Sequence, residues 1–230
     1  MDPIIIALNI IKLILPLITG IIALIAGFIE LRLNSKNWLN RWFFSFFISA
    51  SLGYLIYSVY HIIIFSPAIT SIAVVITQIF FNFIPISLVM TVFVLEKFPK
   101  KAMSPKYLGT MLVIFILMSF GYFWWTPRVD PDYYTQRIIN TTTPLPWFVF
   151  VNFVRMVLFG YALFEYAMIT KKTDDETKKR ISWFFIGIFI IIIGLIFNLF
   201  GGIFNFVPIE ILALILFNIG AIIIVKGFII

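Results

Sequence analysis

Long apolar runs divide the chain into seven segments, and charged residues or Pro and Gly clusters bound each of them. Each run is long enough for an α-helix to cross the hydrocarbon core of a bilayer, which takes about 20 residues. Membrane β-strands would instead show segments of about ten residues with alternating polarity. The pattern predicts an all-α, seven-transmembrane helix bundle that forms one domain over residues 1–230, with spans at about 3–29, 42–65, 69–95, 108–126, 147–169, 181–201 and 207–229.

Composition excludes a soluble domain, because 62% of the residues are hydrophobic, 12% are charged and the mean hydropathy is +1.10. With so little polar surface, the lipid bilayer must be the solvent for most of the chain. The N-terminal run has no basic segment before it and no small-residue cleavage site, so we expect its helix to be retained. The Ile and Phe bias, together with Lys-rich loops, favours an integral protein of a prokaryotic cell membrane.

Positive charge is concentrated in alternate loops between the predicted helices. The first, third and fifth loops carry twelve of the seventeen Lys and Arg residues, namely Arg32, Lys36, Arg41, Lys97, Lys100, Lys101, Lys106, Lys171, Lys172, Lys178, Lys179 and Arg180. Because cytoplasmic loops are enriched in Lys and Arg, this asymmetry predicts that the N-terminus lies outside and the C-terminus inside. No nucleic-acid partner is expected, since the sequence has no soluble element with a basic face.

The sequence indicates no enzyme and no cofactor. It contains no Cys and a single His, His61, which leaves no ligand set for zinc, haem or an iron–sulfur cluster. It also lacks a nucleophile–base pair, a Gly-rich phosphate loop and paired intramembrane aspartates. Lys226 is typical of a cationic anchor at the predicted inner interface rather than of a retinal Schiff base, because no carboxyl group shares its depth. We therefore expect no catalytic residue and no metal site.

Polar side chains inside the predicted spans mark the candidate site, because an ionised group at the membrane centre costs roughly 2.5–3.5 kcal/mol. With a helix rise of about 1.5 Å per residue, several of these groups lie at similar depths in the predicted outer half of the bilayer. The predicted ligand-binding residues are Lys12, His61, Gln78, Asn82, Arg155 and Glu210. Two cations, one anion and several amides suit a small anionic or zwitterionic ligand, with Arg155 binding its carboxylate or phosphate.

An ion pair offers a purely structural explanation of the same charges. Glu210 could pair with Arg155 or with Lys12 and so fasten the last helix to the fifth span or to the first. Glu165 lies near the predicted inner end of the fifth span, where it can reach the interface or pair with a neighbouring lysine. The sequence leaves these alternatives open.

Two stretches resemble a known family at the level of pattern. The first is a long apolar helix and a short basic loop followed by LNRWFFSFFISASLGYLIY. The second is DDETKKRISWFFIGIFIIIIG, which leads into the sixth span. Both are similar to the N-terminal seven-transmembrane sensor region of membrane histidine kinases. The resemblance implies a sensor whose last helix passes a signal to a cytoplasmic output domain. Because the sequence ends at Ile230 without such a domain, the expectation is output through a separate cytoplasmic signalling protein.

These observations predict a receptor-like or sensor membrane protein, and a homo-oligomer is compatible with them. In a transporter or channel, the same polar groups would mark a permeation route, yet few continue toward the predicted inner face: Thr19, Glu165, Asn198 and Asn218. In a structural subunit of a larger complex, a face rich in small residues would contact a partner. The glycines available for such a face are Gly160, Gly187, Gly194, Gly201, Gly202 and Gly220.

Overall fold

The computed structural model describes residues 3–171, 175–204 and 206–229, which leaves Lys172 outside the described part. Within these ranges the helices are α1 Pro3–Leu33, α2 Trp38–Ile62, α3 Pro67–Ala102, α4 Thr110–Trp124, α5 Pro131–Thr135, α6 Leu145–Thr170, α7 Asp175–Phe204 and α8 Val207–Ile229. A π-helical turn, Pro105–Gly109, leads into α4. Seven helical segments, all except α5, are long and apolar enough to cross a membrane. The predicted all-α bundle is confirmed, whereas the direction in which it crosses the membrane stays a prediction.

Local sequence explains where α2 and α3 differ from the predicted spans. The Asn37 side chain accepts a hydrogen bond from the Leu39 amide at 3.0 Å, so α2 begins at Trp38, ahead of the start predicted near 42. α3 continues past the end predicted near 95, because helical structure resumes after a kink at Phe98, where φ is 61° and ψ is 154°. Pro99 begins the resumed helix, and its fixed φ suits a first helical turn.

Six helices form a closed ring. α1 packs against α2, α2 against α3, α3 against α6, α6 against α7, α7 against α8, and α8 against α1. α4 lies outside this ring, against α3 and α6. Apolar residues on the outward faces, such as Ile18, Ile25 and Phe123, are exposed, as expected for a surface that lipid solvates. Hereafter, the N-terminal end of the ring is the end where α1 begins, and the opposite end is the end where α1 finishes.

Glycines allow α7 and α8 to approach closely. A Cβ atom built at Gly187 would lie 2.5 Å from Ile224 Cγ1 and 2.7 Å from the carbonyl oxygen of Gly220. A Cβ atom built at Gly194, Gly201 or Gly202 would likewise clash with a side chain of this protein, namely Phe217, Glu210 and Phe148 respectively. A Cβ at Gly160, by contrast, would have nothing within 4 Å. Five of the six glycines considered for a partner-binding face are therefore used in packing within the chain.

The segment between α4 and α6 folds over the N-terminal end of the ring. Its two short strands, β1 Arg128–Val129 and β2 Thr141–Thr142, pair antiparallel. The Tyr134 hydroxyl donates a hydrogen bond to the carbonyl oxygen of Phe65 at 3.1 Å, which fastens the segment to the connection between α2 and α3. This arrangement brings part of the segment over the opening of the ring.

Candidate functional site

The ring encloses a cavity of about 540 Å³. All seven long helices and the segment between α4 and α6 contribute to its wall, so no pair of neighbouring helices forms it alone. The polar residues that line it are Lys12, Thr19, Tyr54, Tyr57, Tyr60, His61, Gln78, Tyr122, Asn140, Thr141, Thr142, Thr143, Asn152, Arg155, Asn198 and Glu210. Its volume lies within the range of roughly 300–1,000 Å³ that is common for small-molecule sites.

Two residues of α3 hold the guanidinium of Arg155, which projects from α6. Asn82 Oδ1 accepts hydrogen bonds from Arg155 Nε at 3.0 Å and from Nη2 at 2.6 Å. Gln78 Oε1 accepts a further bond from Nη2 at 2.8 Å. Tyr122, on α4, donates its hydroxyl to the same Gln78 oxygen at 3.3 Å. These bonds fix the position of the guanidinium and connect α3, α4 and α6.

The positive charge of Arg155 has no carboxylate beside it in the described part of the chain. The ion pairs formed there are Lys12 with Glu210 and Lys97 with Glu96, and neither includes Arg155. Arg155 is nevertheless only 6% exposed. A buried cation that has only neutral hydrogen-bond partners is costly, and an anion in the cavity would stabilise it. The site is therefore suited to a negatively charged group.

Lys12 and Glu210 form an ion pair between α1 and α8. Lys12 Nζ lies 3.6 Å from Glu210 Oε2, and both side chains line the cavity. Of the two pairings that the sequence left open for Glu210, the structure shows the one with Lys12. The pair joins the first and last helices of the ring and presents both signs of charge to the cavity.

His61 lines the cavity in a cluster of aromatic residues on α2. Its Nδ1 lies 2.8 Å from the carbonyl oxygen of Tyr57, and its ring stacks on that of Tyr57 with centroids 4.2 Å apart. Because a carbonyl oxygen only accepts, Nδ1 must carry the proton of this hydrogen bond. His61 is thus oriented by its own helix, and the backbone of Ile139 is a second hydrogen-bond partner of its ring.

Asn82 lies behind Arg155 rather than at the wall of the cavity. It is fully buried and does not line the cavity. Its Nδ2 donates to the carbonyl oxygen of Met118 at 3.0 Å and to Ser119 Oγ at 3.3 Å, while Oδ1 accepts from Arg155. That Asn82 contacts ligand stays a prediction, and in the structure its amide is hydrogen-bonded to α4 and to the arginine.

Several lining residues were absent from the predicted set. Asn152 lies one turn before Arg155 on α6, and its Oδ1 is buried without a hydrogen-bond partner in the described structure. The spacing of three residues between Asn152 and Arg155 was a signal in the sequence, because such residues share a helix face. Tyr122 had no comparable signal, since α4 approaches the cavity from outside the ring. Glu165 does not line the cavity.

Comparison of the chain with protein-family models, with curated proteins and with solved structures finds no match. The resemblance to histidine-kinase sensor regions therefore stays an expectation based on sequence pattern. What can be said of function comes from the geometry of the cavity.

Proposed function

We propose that this integral membrane protein is a receptor or sensor that binds a small anionic or zwitterionic ligand in the cavity of the ring. The observation that supports this proposal is the buried, immobilised guanidinium of Arg155, which lines the cavity and has no carboxylate beside it among the described residues. A carboxylate or phosphate on the ligand would supply the missing negative charge through charge-assisted hydrogen bonds.

The Lys12–Glu210 pair extends the proposal to zwitterionic ligands. Both residues are partly exposed to the cavity, so a ligand ammonium can approach Glu210 while a ligand anion approaches Lys12. When Lys12 and Glu210 bind the ligand instead of each other, the contact between α1 and α8 becomes weaker. Ligand binding and the packing of these two helices are in this way coupled, which is what a sensor requires.

The cavity favours a receptor over a transporter. Toward the opposite end its wall consists of apolar side chains, including Phe46, Phe47, Ile224 and Val225. A permeation route for a charged solute would need polar groups along the whole path. The signal would instead leave through the helices, because Arg155 on α6 is bonded to α3, and both helices continue to the opposite end. There, a separate cytoplasmic signalling protein would read the change.

The test is ligand-dependent thermal stability in lipid nanodiscs, measured with a panel of carboxylates, phosphates and amino acids. The informative variant is Gln78→Glu, because glutamate can keep both hydrogen bonds that Gln78 Oε1 accepts while placing a carboxylate against Arg155. We expect at least one anion to stabilise the wild type, and its affinity to fall at least tenfold in Gln78→Glu.

Two controls make this test specific. Glu165→Gln removes a charge outside the cavity and should leave the affinity unchanged. Arg155→Lys keeps the charge but loses the planar fork, so it should bind the same anion more weakly. The proposal fails if no anion stabilises the wild type, or if the stabilisation is the same in Gln78→Glu. Uptake of the bound anion into proteoliposomes would show a transporter instead of a receptor.

A further inference from the structure

The wall of the cavity changes from polar to apolar along its length. On α2, the lining residues extend from His61 to Phe46, which corresponds to about 22 Å at the rise of a helix. At the N-terminal end the lining includes Lys12, His61, Asn140 and Glu210. Toward the opposite end it includes Phe46, Phe47, Ala50, Ala221 and Ile224. The cavity is therefore an elongated space with one charged half and one apolar half.

Arg155 lies between these two halves. Its partner Gln78 is followed one turn later by Phe81, and the Phe81 ring contacts Tyr54 with centroids 5.0 Å apart. On α2, Ala50 and Phe47 come one and two turns beyond Tyr54 toward the opposite end. The guanidinium thus stands about where the polar wall ends and the apolar wall begins.

We propose that the ligand is an anionic amphiphile with a single chain. Its carboxylate or phosphate binds at Arg155, and its apolar chain fills the half of the cavity that Ala50, Phe47, Ala221 and Ile224 line. This inference rests on the proposed function and narrows the ligand class within it. A volume of about 540 Å³ is in the range of small-molecule ligands, which suits one chain.

The apolar half explains why a wholly polar anion fits less well. Thr19 is the polar residue nearest that half on α1, and its hydroxyl already donates to the carbonyl oxygen of Leu15 at 3.0 Å. Water or polar ligand atoms placed there would find apolar walls and too few hydrogen-bond partners. An apolar chain gives up no hydrogen bonds in that space, and removing it from water is favourable.

The experiment uses straight-chain carboxylates from acetate to hexadecanoate, with the protein in phosphatidylcholine nanodiscs. Binding is measured by displacement of radiolabelled dodecanoate, and partition into empty nanodiscs is subtracted. We expect affinity to rise by up to about fourfold with each added methylene and then to level off when the apolar half is full. Gln78→Glu should lower the affinity for every chain length at least tenfold, because the head group loses its cation.

A variant that fills the apolar half tests the placement of the chain. Ala50→Phe should make affinity level off at a shorter chain length than in the wild type, while short carboxylates bind as before. Ala221→Phe offers the same change from α8 if the first variant does not fold. Ala68→Phe is the matched control, since Ala68 is exposed on α3 and lies outside the lining.

The outcomes separate this inference from the proposed function. In one outcome, affinity corrected for partition does not depend on chain length, but acetate or inorganic phosphate binds and Gln78→Glu abolishes that binding. The proposal of an amphiphilic ligand is then wrong, whereas the proposed anion site is supported. The proposal of an amphiphilic ligand is also wrong if neither Ala50→Phe nor Ala221→Phe changes the chain length at which affinity levels off. If no carboxylate and no phosphate binds in a way that Gln78→Glu weakens, both proposals are overturned.

Discussion

At the scale of single residues, the contrast between the two cations of the cavity carries the functional argument. Lys12 has a carboxylate partner 3.6 Å away, and its charge is balanced within the protein. Arg155 has amide partners, which satisfy its hydrogen bonds without balancing its charge. Amides position a guanidinium while leaving its electrostatic field available to a ligand. For this reason the proposed function places the anion of the ligand first at Arg155, whose hydrogen bonds are satisfied but whose charge is not balanced.

Asn82 is expected to be essential for holding Arg155. Replacing it with leucine removes the oxygen that accepts from Arg155 Nε and Nη2, and it also removes the side-chain donor to the carbonyl oxygen of Met118. Asn82→Leu should lower the free energy of unfolding by about 3 kcal/mol, measured by denaturation in detergent micelles.

The double variant Asn82→Leu, Arg155→Met provides the control for that prediction. It removes the buried charge together with its partner, so it should recover most of the lost stability. Equal losses in the single and double variants would mean that the packing of Asn82, rather than its bond to Arg155, accounts for the effect.

Depth along the helices was predictable from sequence, whereas the partner of each group was not. Counting residues at a constant rise placed Lys12, Gln78, Arg155 and Glu210 at similar levels, and the structure brings all four to the wall of one cavity. Which carboxylate faces which cation depends on the rotation of each helix and on which helices are neighbours. The sequence therefore left two partners open for Glu210, and it placed the amide of Asn82 in the cavity instead of behind Arg155.

At the scale of elements, α3 connects the site with the opposite end of the bundle. Gln78 and Asn82 contact Arg155 in its first half, and the kink at Phe98 interrupts it about 30 Å from Gln78. Pro99 marks the place of the kink in the sequence, because the residue before a proline is biased away from helical backbone angles. The positive φ of Phe98 has no such signal, because residues other than glycine seldom adopt it.

Strain at Phe98 predicts a gain in stability on substitution by glycine. With φ 61° and ψ 154°, the residue lies in a region that is nearly exclusive to glycine. Its side chain is 77% exposed, so little packing is lost. Phe98→Gly should raise the unfolding free energy by about 1 kcal/mol relative to Phe98→Ala, which loses the same side chain but keeps the strain. A lower melting temperature for the glycine variant than for the alanine variant would contradict this.

Close packing of α7 and α8 predicts opposite responses at two glycines. Gly187→Ala places a methyl group 2.5 Å from Ile224 Cγ1 and should lower the unfolding free energy by about 1–3 kcal/mol. Gly160→Ala meets open space and should be neutral or should stabilise α6 by up to about 1 kcal/mol. Thermal unfolding of both variants in the same nanodiscs checks the pair. Similar melting temperatures for the two variants would argue against the α7–α8 contact.

At the scale of the whole molecule, the ring explains how a chain of 230 residues encloses a cavity within a membrane. Six helices surround the space, and α4 is left outside as a brace across α3 and α6. The long apolar runs predicted the number of spans but not the order in which the helices pack against one another. That order depends on packing between segments far apart in the chain, such as α1 with α8, for which hydropathy carries no signal.

The orientation of the ring is a prediction that labelling can test directly. Because the sequence has no cysteine, a single introduced cysteine is labelled without background. The predicted orientation places Thr135, on α5, outside and Lys36, between α1 and α2, inside. A membrane-impermeant maleimide should label Thr135→Cys in intact cells, and Lys36→Cys only after the cells are lysed. The reverse pattern would place the mouth of the cavity toward the cytoplasm.

The ion pair between α1 and α8 also has a consequence for biosynthesis. Lys12 enters the membrane with the first helix, and Glu210 follows nearly 200 residues later, which takes roughly 10–40 s at common translation rates. During that time the nascent chain carries an unbalanced ammonium group in a half-built bundle. A truncated or stalled chain keeps that exposed charge permanently, whereas the finished chain conceals it. The finished chain therefore differs from every nascent chain that ends before Glu210 in holding both members of the pair.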